Sequence, residues 1–289
     1  MKEEVKISII IPTYNRAATI GKTIDTFIAQ TYKDWEMIVV DDNSKDNTKE
    51  VIEEYHKRDA RIRYMLNERK KGAQGARNTG ILHAQADWVV LFDSDDYVYP
   101  KFLERMVTYC VEGNDVITCY AKKIDVKKGP LETLTWGGEG NIERDLLCSE
   151  KYVNFDDCIF RKSRLFEIGL LDENCPAFQE FDTHIRLSRV SNYKWVKDVL
   201  MDYMWGGGDT MSVNESNNKK GFYYVLLHNQ ERWKEIAFEA YHSQLLRLFR
   251  HAPIRIKYQF IKSDLKVLLD LPNVYYQAAI RLIKRIVKK

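Results

Sequence analysis

The chain contains no C-x-x-C pair, and its five cysteines (Cys110, Cys119, Cys148, Cys158, Cys175) are odd in number. A disulfide framework or a cysteine zinc site is therefore not expected, and a reducing cytoplasm is the natural compartment. Only 6 prolines and 14 glycines occur in 289 residues, which excludes a collagen-like or low-complexity chain. No uncharged apolar run approaches the ~18–20 residues of a membrane span, and the mean hydropathy is −0.44. The opening Met1-Lys2-Glu3-Glu4-Val5 leads straight into an apolar strand and lacks the layout of a signal peptide. Neither an internal repeat nor a low-complexity linker is visible. What the chain does have is core material: 45% hydrophobic and 12% aromatic residues exclude disorder. Its length fits one large domain or two small ones.

Charge is nearly balanced, with 45 Lys+Arg against 42 Asp+Glu, but it is unevenly distributed. Residues 253–289 hold nine cations and two acids, a charge of +7, which leaves −4 for residues 1–252 of a chain whose net charge is +3. An acidic body with a basic tail differs from a uniformly basic nucleic-acid binder, so no nucleic-acid partner is expected.

Along the first ~120 residues, strand and helix signals alternate. Val5 to Ile11 is a β-branched run expected to stop at Pro12. Ala17 to Thr31 carries a helical stripe, Ile20, Ile24, Phe27 and Ile28. Strands follow at Glu36–Val40, Arg61–Leu66, Trp88–Phe92 and Val116–Tyr120. Between them lie helices at Asn47–Arg58, Gly75–Gln85 and Lys101–Val111. This order predicts βαβ crossovers and a mostly parallel sheet. Residues ~125–155 read as irregular, 180–190 and 222–250 as helical, and Tyr193–Trp205 as a strand.

In such sheets ligands sit beyond the carboxyl ends of the strands. Thr13-Tyr14-Asn15-Arg16, Asp41-Asp42-Asn43 and Asp93-Ser94-Asp95-Asp96 each follow a strand directly, so three polar loops share one edge. The acids of the third loop repel one another unless a hard divalent cation such as Mg²⁺ or Mn²⁺ sits among them and bridges to phosphate oxygens. The alternative is an ordinary Asp/Ser turn. Tyr14 either stacks on a nucleobase or caps the core, and Asp42 either accepts from a base N–H or, with Asp41, caps the following helix. Arg77, on a glycine-punctuated helix (Gly72, Gly75, Gly80), either meets a phosphate or ribose or forms a surface salt bridge. Glu180 and Asp182 open a helical stretch, where acids complement the dipole or serve as a general base. Gly206 to Ser212 is either a mobile lid or a plain glycine loop.

Together and in this order, the clusters resemble family 2 glycosyltransferases of the GT-A fold. Ser8-Ile9-Ile10-Ile11-Pro12-Thr13-Tyr14-Asn15-Arg16 resembles the opening strand and loop of that family, and Ile38 to Thr48 the second. Ala76-Arg77-Asn78-x-Gly80 resembles the donor-site helix, Leu91 to Asp96 the D-x-D, Ile168 to Glu173 the lead-in to the acceptor-side helix, and Gln179 to Leu187 that helix. The resemblance implies a mostly parallel mixed α/β sheet flanked by helices, with a Rossmann-like nucleotide-binding half (about 1–122), an acceptor half (about 123–215) and a C-terminal helical extension (216–289). It implies a nucleotide-sugar site of Pro12, Thr13, Tyr14, Asn15, Arg16, Asp41, Asp42, Arg77, Asp93 and Ser94. Asp95, with Asp93 and Asp96, would hold Mn²⁺ or Mg²⁺. Glu180 falls where the family carries its catalytic base; the usual Glu-Asp pair reads Gln179-Glu180 here, and Asp182 is the reserve. Gln230-Glu231-Arg232-Trp233 is one residue short of the processive Q-x-x-R-W motif, which implies transfer of a single sugar.

The implied reaction is a metal-dependent, inverting transfer of a hexosyl or N-acetylhexosaminyl group, with a UDP-sugar as donor. The implied acceptor is a saccharide, lipid-linked, in surface-polysaccharide assembly. Arg281, Lys284, Arg285 and Lys288 share one helical face opposite Leu282, Ile283, Ile286 and Val287. Residues 254–289 therefore read as a helix docking on an anionic membrane surface, which would make the protein cytoplasmic and peripheral on the inner face of the membrane. The alternative is a terminal helix packed on the domain. Two other functions fit the clusters, a nucleotidyltransferase and a non-catalytic nucleotide-sugar-binding module. The glycine-rich loop of the former is missing after the first strand, and donor hydrolysis separates the latter.

Overall fold

The computed structural model describes residues 6–206, 215–251 and 257. The tail helix expected over 254–289, Lys257 apart, and the glycine loop after Gly206 lie outside the described residues. The chain divides into two compact units, Met1–Asn174 with Gln179–Val213, and Cys175–Phe178 with Asn214–Lys289.

The first unit is built on one nine-stranded sheet ordered β3-β2-β1-β4-β8-β6-β9-β5, with β7 paired to β6. Its strands are β1 (Ile7–Thr13), β2 (Trp35–Asp41), β3 (Ile62–Leu66), β4 (Trp88–Leu91), β5 (Tyr97–Val98), β6 (Val116–Asp125), β7 (Gly129–Leu134), β8 (Cys158–Arg161) and β9 (Tyr193–Trp205). The helices of this unit are α1 (Ile20–Ile28), α2 (Thr48–Arg58), α3 (Ala73–His83), α4 (Phe102–Val107), α5 (Glu143–Leu147), α6 (Lys162–Glu167) and α7 (Gln179–Leu187). From β3 to β4 the sheet is parallel, as the βαβ spacing predicts. Beyond β4 it is mixed: β4–β8 and β6–β8 are antiparallel, and β6–β9 is parallel. The segment read as irregular holds β7 and α5. β8, only four residues long, carries no periodic signal.

β1 and β2 are buried throughout, which accounts for their continuous Ile and Val runs. α1 buries Ile20, Thr23, Ile24 and Phe27 on its inner stripe, and Phe27 meets Phe92 edge-on at 5.0 Å. Pro12 does not end β1, contrary to the sequence reading; it pairs with Val40 and the strand runs on to Thr13. The Ile10 carbonyl accepts from Phe92 and the Thr13 carbonyl from Asp42, so residues of even number bond toward β4 and of odd number toward β2. The last β1–β4 pair is Ile10 with Leu91, so the missing N–H of Pro12 falls where no strand lies alongside. α3 lies so close to β1 that a Cβ on Gly80 would stand 2.3 Å from Ile10 Cγ2.

The second unit holds α8 (Glu215–His228), α9 (Gln230–Ile236) and α10 (Phe238–His251). The single helical stretch read over 222–250 is broken near Asn229 and Ala237, and Val225, Leu226, Trp233 and Tyr241 form its buried interior. No helix among the described residues is long and apolar enough to cross a membrane.

Candidate active site

β1, β2 and β4 are parallel neighbours, so the loops beyond Thr13, Asp41 and Leu91 meet at one edge. Side β1–β4 is also where the chain order reverses, the usual crevice of an open α/β sheet. The Asn15 N–H donates to Ser44 Oγ at 2.8 Å and its Oδ1 accepts from the Lys45 N–H at 2.7 Å. Both Asn15 (φ 52°) and Asn43 (φ 66°) take the left-handed conformation that Asn tolerates. The Arg16 N–H donates to Thr48 Oγ1 at 2.9 Å. Asp41 is buried and accepts from the Ser44 N–H (2.9 Å), Ser44 Oγ (2.6 Å) and the Tyr64 hydroxyl (3.0 Å), so its carboxylate is engaged by its own loop and by β3. Asp42 accepts from Asn67 Nδ2 (2.7 Å) and the Gly72 N–H (2.9 Å), which ties the second loop to the start of α3. Thr13 is buried, whereas Tyr14 is 44% exposed with Lys71 Nζ 5.5 Å over its ring.

Arg77 is not a surface residue. It is 2% exposed on α3, donates to Gln74 Oε1 at 2.8 Å and to the Asp93 carboxylate, and stacks 4.9 Å over the Phe155 ring. Its surface-salt-bridge reading is thus overturned by burial. The acids of the third loop diverge. The Asp93 side chain is 40% exposed, and that of Asp95 is 43% exposed with the Arg16 guanidinium at 3.8 Å. Ser94 is buried. Asp96 is 2% exposed and accepts from the Met204 N–H of β9 at 2.7 Å. Burial, with Asp93, Asp95 and Asp202 nearby, pushes its carboxyl well above the usual range. The expected third metal ligand is therefore turned into the sheet, where it anchors β9. Among the described residues, no group of three or more His, Cys, Asp and Glu is placed to hold a metal ion.

Glu180 opens α7 and is half-buried. Burial raises its carboxyl above the ordinary value; Arg77 opposes that rise, and Asp93 adds to it. Glu180 thus stands within electrostatic reach of the Arg77–Asp93 pair. Asp182, two residues on, is buried and accepts from Arg186 Nε at 2.8 Å. Arg186 in turn donates to the carbonyls of Ile168 (3.0 Å) and Leu170 (2.7 Å), so Asp182 braces the loop leading toward α7.

Further residues at the site were assigned no role from the sequence. Asn78 Nδ2 donates to the Leu171 carbonyl (2.9 Å) and to Glu173 Oε1 (2.8 Å), and its Oδ1 accepts from the Leu171 N–H (3.0 Å), locking α3 to the 171–173 loop. Asp156, 1% exposed, accepts from the Asp93 N–H. Burial, then Asp93 and Asp96, push its carboxyl well up. Burial raises the neighbouring Asp157 to about 7. An Asp pair inside the run Val153 to Phe160 is a legible anomaly, because acids are rarely buried without a role. Tyr152 and Tyr203 flank the site and share contacts with Trp136, at ring distances of 4.9 and 5.7 Å. His184 is a satisfied core histidine, held neutral because burial drops its pKa to about 3. All five cysteines are free thiols.

Residues 8–167 match the family model described as glycosyl transferase family 2. The chain is 38% identical over 112 residues to UDP-Glc:alpha-D-GlcNAc-diphosphoundecaprenol beta-1,3-glucosyltransferase WfgD of Escherichia coli, covering 39% of this chain and 44% of that protein. It is 35% identical over 147 residues to GalNAc(5)-diNAcBac-PP-undecaprenol beta-1,3-glucosyltransferase of Campylobacter jejuni, covering 50% and 46%. The chain thus spans less than half the length of these relatives. Among solved structures, S. aureus TarS 1–349 in complex with UDP-GlcNAc superimposes with a TM-score of 0.69 at 17% identity, over 94% of this chain and 83% of that one. Mannosyltransferase PcManGT from Pyrobaculum calidifontis, in complex with GDP-Man and Mn²⁺, superimposes with a TM-score of 0.61 at 17% identity, over 99% and 87%. At that identity the likeness shows the fold, the GT-A architecture that the sequence motifs imply.

Proposed function

This chain belongs to glycosyl transferase family 2, and from that premise we propose that it moves one sugar, with inversion, from a UDP-sugar to a hydroxyl of a lipid-linked saccharide. The observation that carries this reading is the convergence of Glu180 with the Arg77–Asp93 pair beside the carboxyl edge of β1, β2 and β4. Tyr14, with 44% of its surface open, stacks the uracil beside Pro12, Thr13 and Asn15, while Asp42, held by Asn67 and Gly72, accepts from the base. Asp41 and Ser94 shape the loops, and Arg16 and Arg77 face the ribose and diphosphate. The part-exposed carboxylates of Asp95 and Asp93 are hard oxygen donors that leave room for phosphate oxygens, so they fit Mn²⁺ or Mg²⁺. When bound, that ion offsets charge on the leaving diphosphate. Glu180 takes the proton of the acceptor hydroxyl as its oxygen bonds to the anomeric carbon and the bond to the diphosphate breaks. Asp182 positions α7 and does not act as base, because Arg186 holds its carboxylate.

The division into a catalytic region, 1–215, and a docking region, 216–289, belongs to this proposal. So does a peripheral place on the cytoplasmic face of the membrane. It is supported by the undecaprenol in the names of both relatives and by the basic composition of 253–289. The test is donor hydrolysis and transfer over a panel of UDP-sugars with Mn²⁺, comparing the wild type with Glu180→Gln. The variant keeps donor affinity and loses ~10²–10⁴ in kcat. Full turnover in Glu180→Gln overturns the assignment.

A further inference from the structure

β4 and β8 run antiparallel, with Trp88 opposite Arg161 and Val89 opposite Phe160. Ahead of β8 the chain turns at Asp156 and Asp157, where the Cys158 N–H donates to the Phe155 carbonyl at 3.0 Å. The Asp93 N–H, at the first acid of the D-x-D, donates to the Asp156 side chain in this turn, with Oδ1 at 2.5 Å. A side-chain acceptor extends farther than a carbonyl, so it holds the Asp93 amide beyond the last paired residues of the two strands. The acceptor itself is braced. Asp156 Oδ2 accepts from Asn154 Nδ2 at 3.3 Å, and the Asn154 carbonyl accepts from His184 Nε2 at 3.2 Å. On the other side, the Asp157 carbonyl accepts from the Cys119 N–H at 3.0 Å. Phe155, between the two, carries Arg77 over its ring.

We propose that Asp156 is a positioning residue of the donor site. By holding the backbone of Asp93, it sets the Asp93 and Asp95 carboxylates in the arrangement that receives a nucleoside diphosphate and its divalent cation. This rests on the reading of Asp93 and Asp95 given above. Asp156 is too deeply buried to touch the donor, so it acts through Asp93 alone.

The experiment uses the full chain as wild type, Asp156→Ala and Asp156→Asn, titrating UDP in the presence of Mn²⁺ by calorimetry and following each apo protein by thermal melting. Asparagine presents a carbonyl oxygen where Asp156 Oδ1 stands, so the Asp93 amide keeps its acceptor, and the Asn154 amide turns over so that its oxygen accepts from the new NH2 group and the brace is kept. Asp156→Ala weakens UDP binding on the order of 10-fold, the worth of one backbone contact in a buried site, and Asp156→Asn restores it to within about threefold. A purely structural role lowers the melting midpoint but leaves the dissociation constant of the folded protein unchanged, and that result overturns the proposal. Failure of Asp156→Asn to rescue Asp156→Ala overturns it as well. Should Asp156→Ala not fold, Asn154→Ala removes the brace on Asp156. It weakens UDP binding if the proposal holds and leaves binding unchanged if it does not. A wild type that binds no UDP with Mn²⁺ overturns the functional reading, and this proposal with it. That failure is distinct, because in every other outcome the wild type binds.

Discussion

Replacing Arg77 by Met keeps much of the side-chain volume and deletes one buried charge. The residue is 2% exposed and pairs with Asp93, with Glu180 and Asp156 also in its field. Stripping one partner from a fully buried ion pair costs about 3–5 kcal/mol, because the other charge is left uncompensated. Asp93 is 40% exposed and water screens it in part, so the lower end of that range applies, about 3 kcal/mol. At roughly 2–4 °C per kcal/mol for a domain of this size, the melting midpoint falls by about 6–12 °C. Chemistry shifts too. Arg77 is the group that holds the Glu180 carboxyl down against burial, so its loss moves that carboxyl further up. A general base works only when deprotonated, so the acid limb of the kcat profile moves to higher pH. Arg77→Lys keeps the charge but loses the planar fork and the stack on Phe155, and falls between wild type and Met. Thermal unfolding and a kcat–pH series test the two effects. A melting midpoint within 2 °C of wild type (~2 °C being under 1 kcal/mol), with an unmoved acid limb, refutes the reasoning.

Asp157, buried and raised to about 7 from an ordinary 3.8, holds its proton more tightly in the native state. Its contribution is intact below about pH 4 and is lost as pH rises through about 7, a change of about 4 kcal/mol. In urea unfolding the stability of wild type relative to Asp157→Asn should therefore drop between pH 4 and pH 8, and a constant difference refutes the shift. Asp95→Ala keeps the fold and abolishes the Mn²⁺-dependent rise in melting temperature with UDP, since it removes the exposed ligand; an undiminished rise contradicts the metal assignment. The chain truncated after Asp270 loses salt-sensitive co-sedimentation with anionic vesicles, whereas equal binding of both forms leaves the tail without a membrane role.

How far the sequence reaches is visible strand by strand. The runs Ile7 to Ile11 and Met37 to Val40, and the stripe of Ile20, Ile24 and Phe27, declared a parallel buried sheet with helices on it. Two faces covered by helices demand unbroken apolar strands, and that demand is local. The clusters ending those strands announced a polar edge for the same reason. Pro12 lay beyond local reading, because whether its missing N–H matters depends on where β4 stops. The sequence leaves Arg77 ambiguous; its burial comes from α3 packing through Gly80 against Ile10 and through Asn78 against Leu171. Nothing in spacing separates Glu180 from Asp182; in the fold Arg77 acts on Glu180 and Arg186 holds Asp182, and the proposed assignment rests on that difference. Asp96 looked equivalent to Asp95 and is not, since the Met204 amide of a distant strand claims it. Asp156 meets Asp93 across 63 residues, from the turn that leads into four-residue β8. Periodicity records which face of an element is buried, a property of the neighbouring few residues. The state of a carboxylate is decided by the charges, amides and water around it, and chain segments far apart in sequence bring those together only in the folded protein.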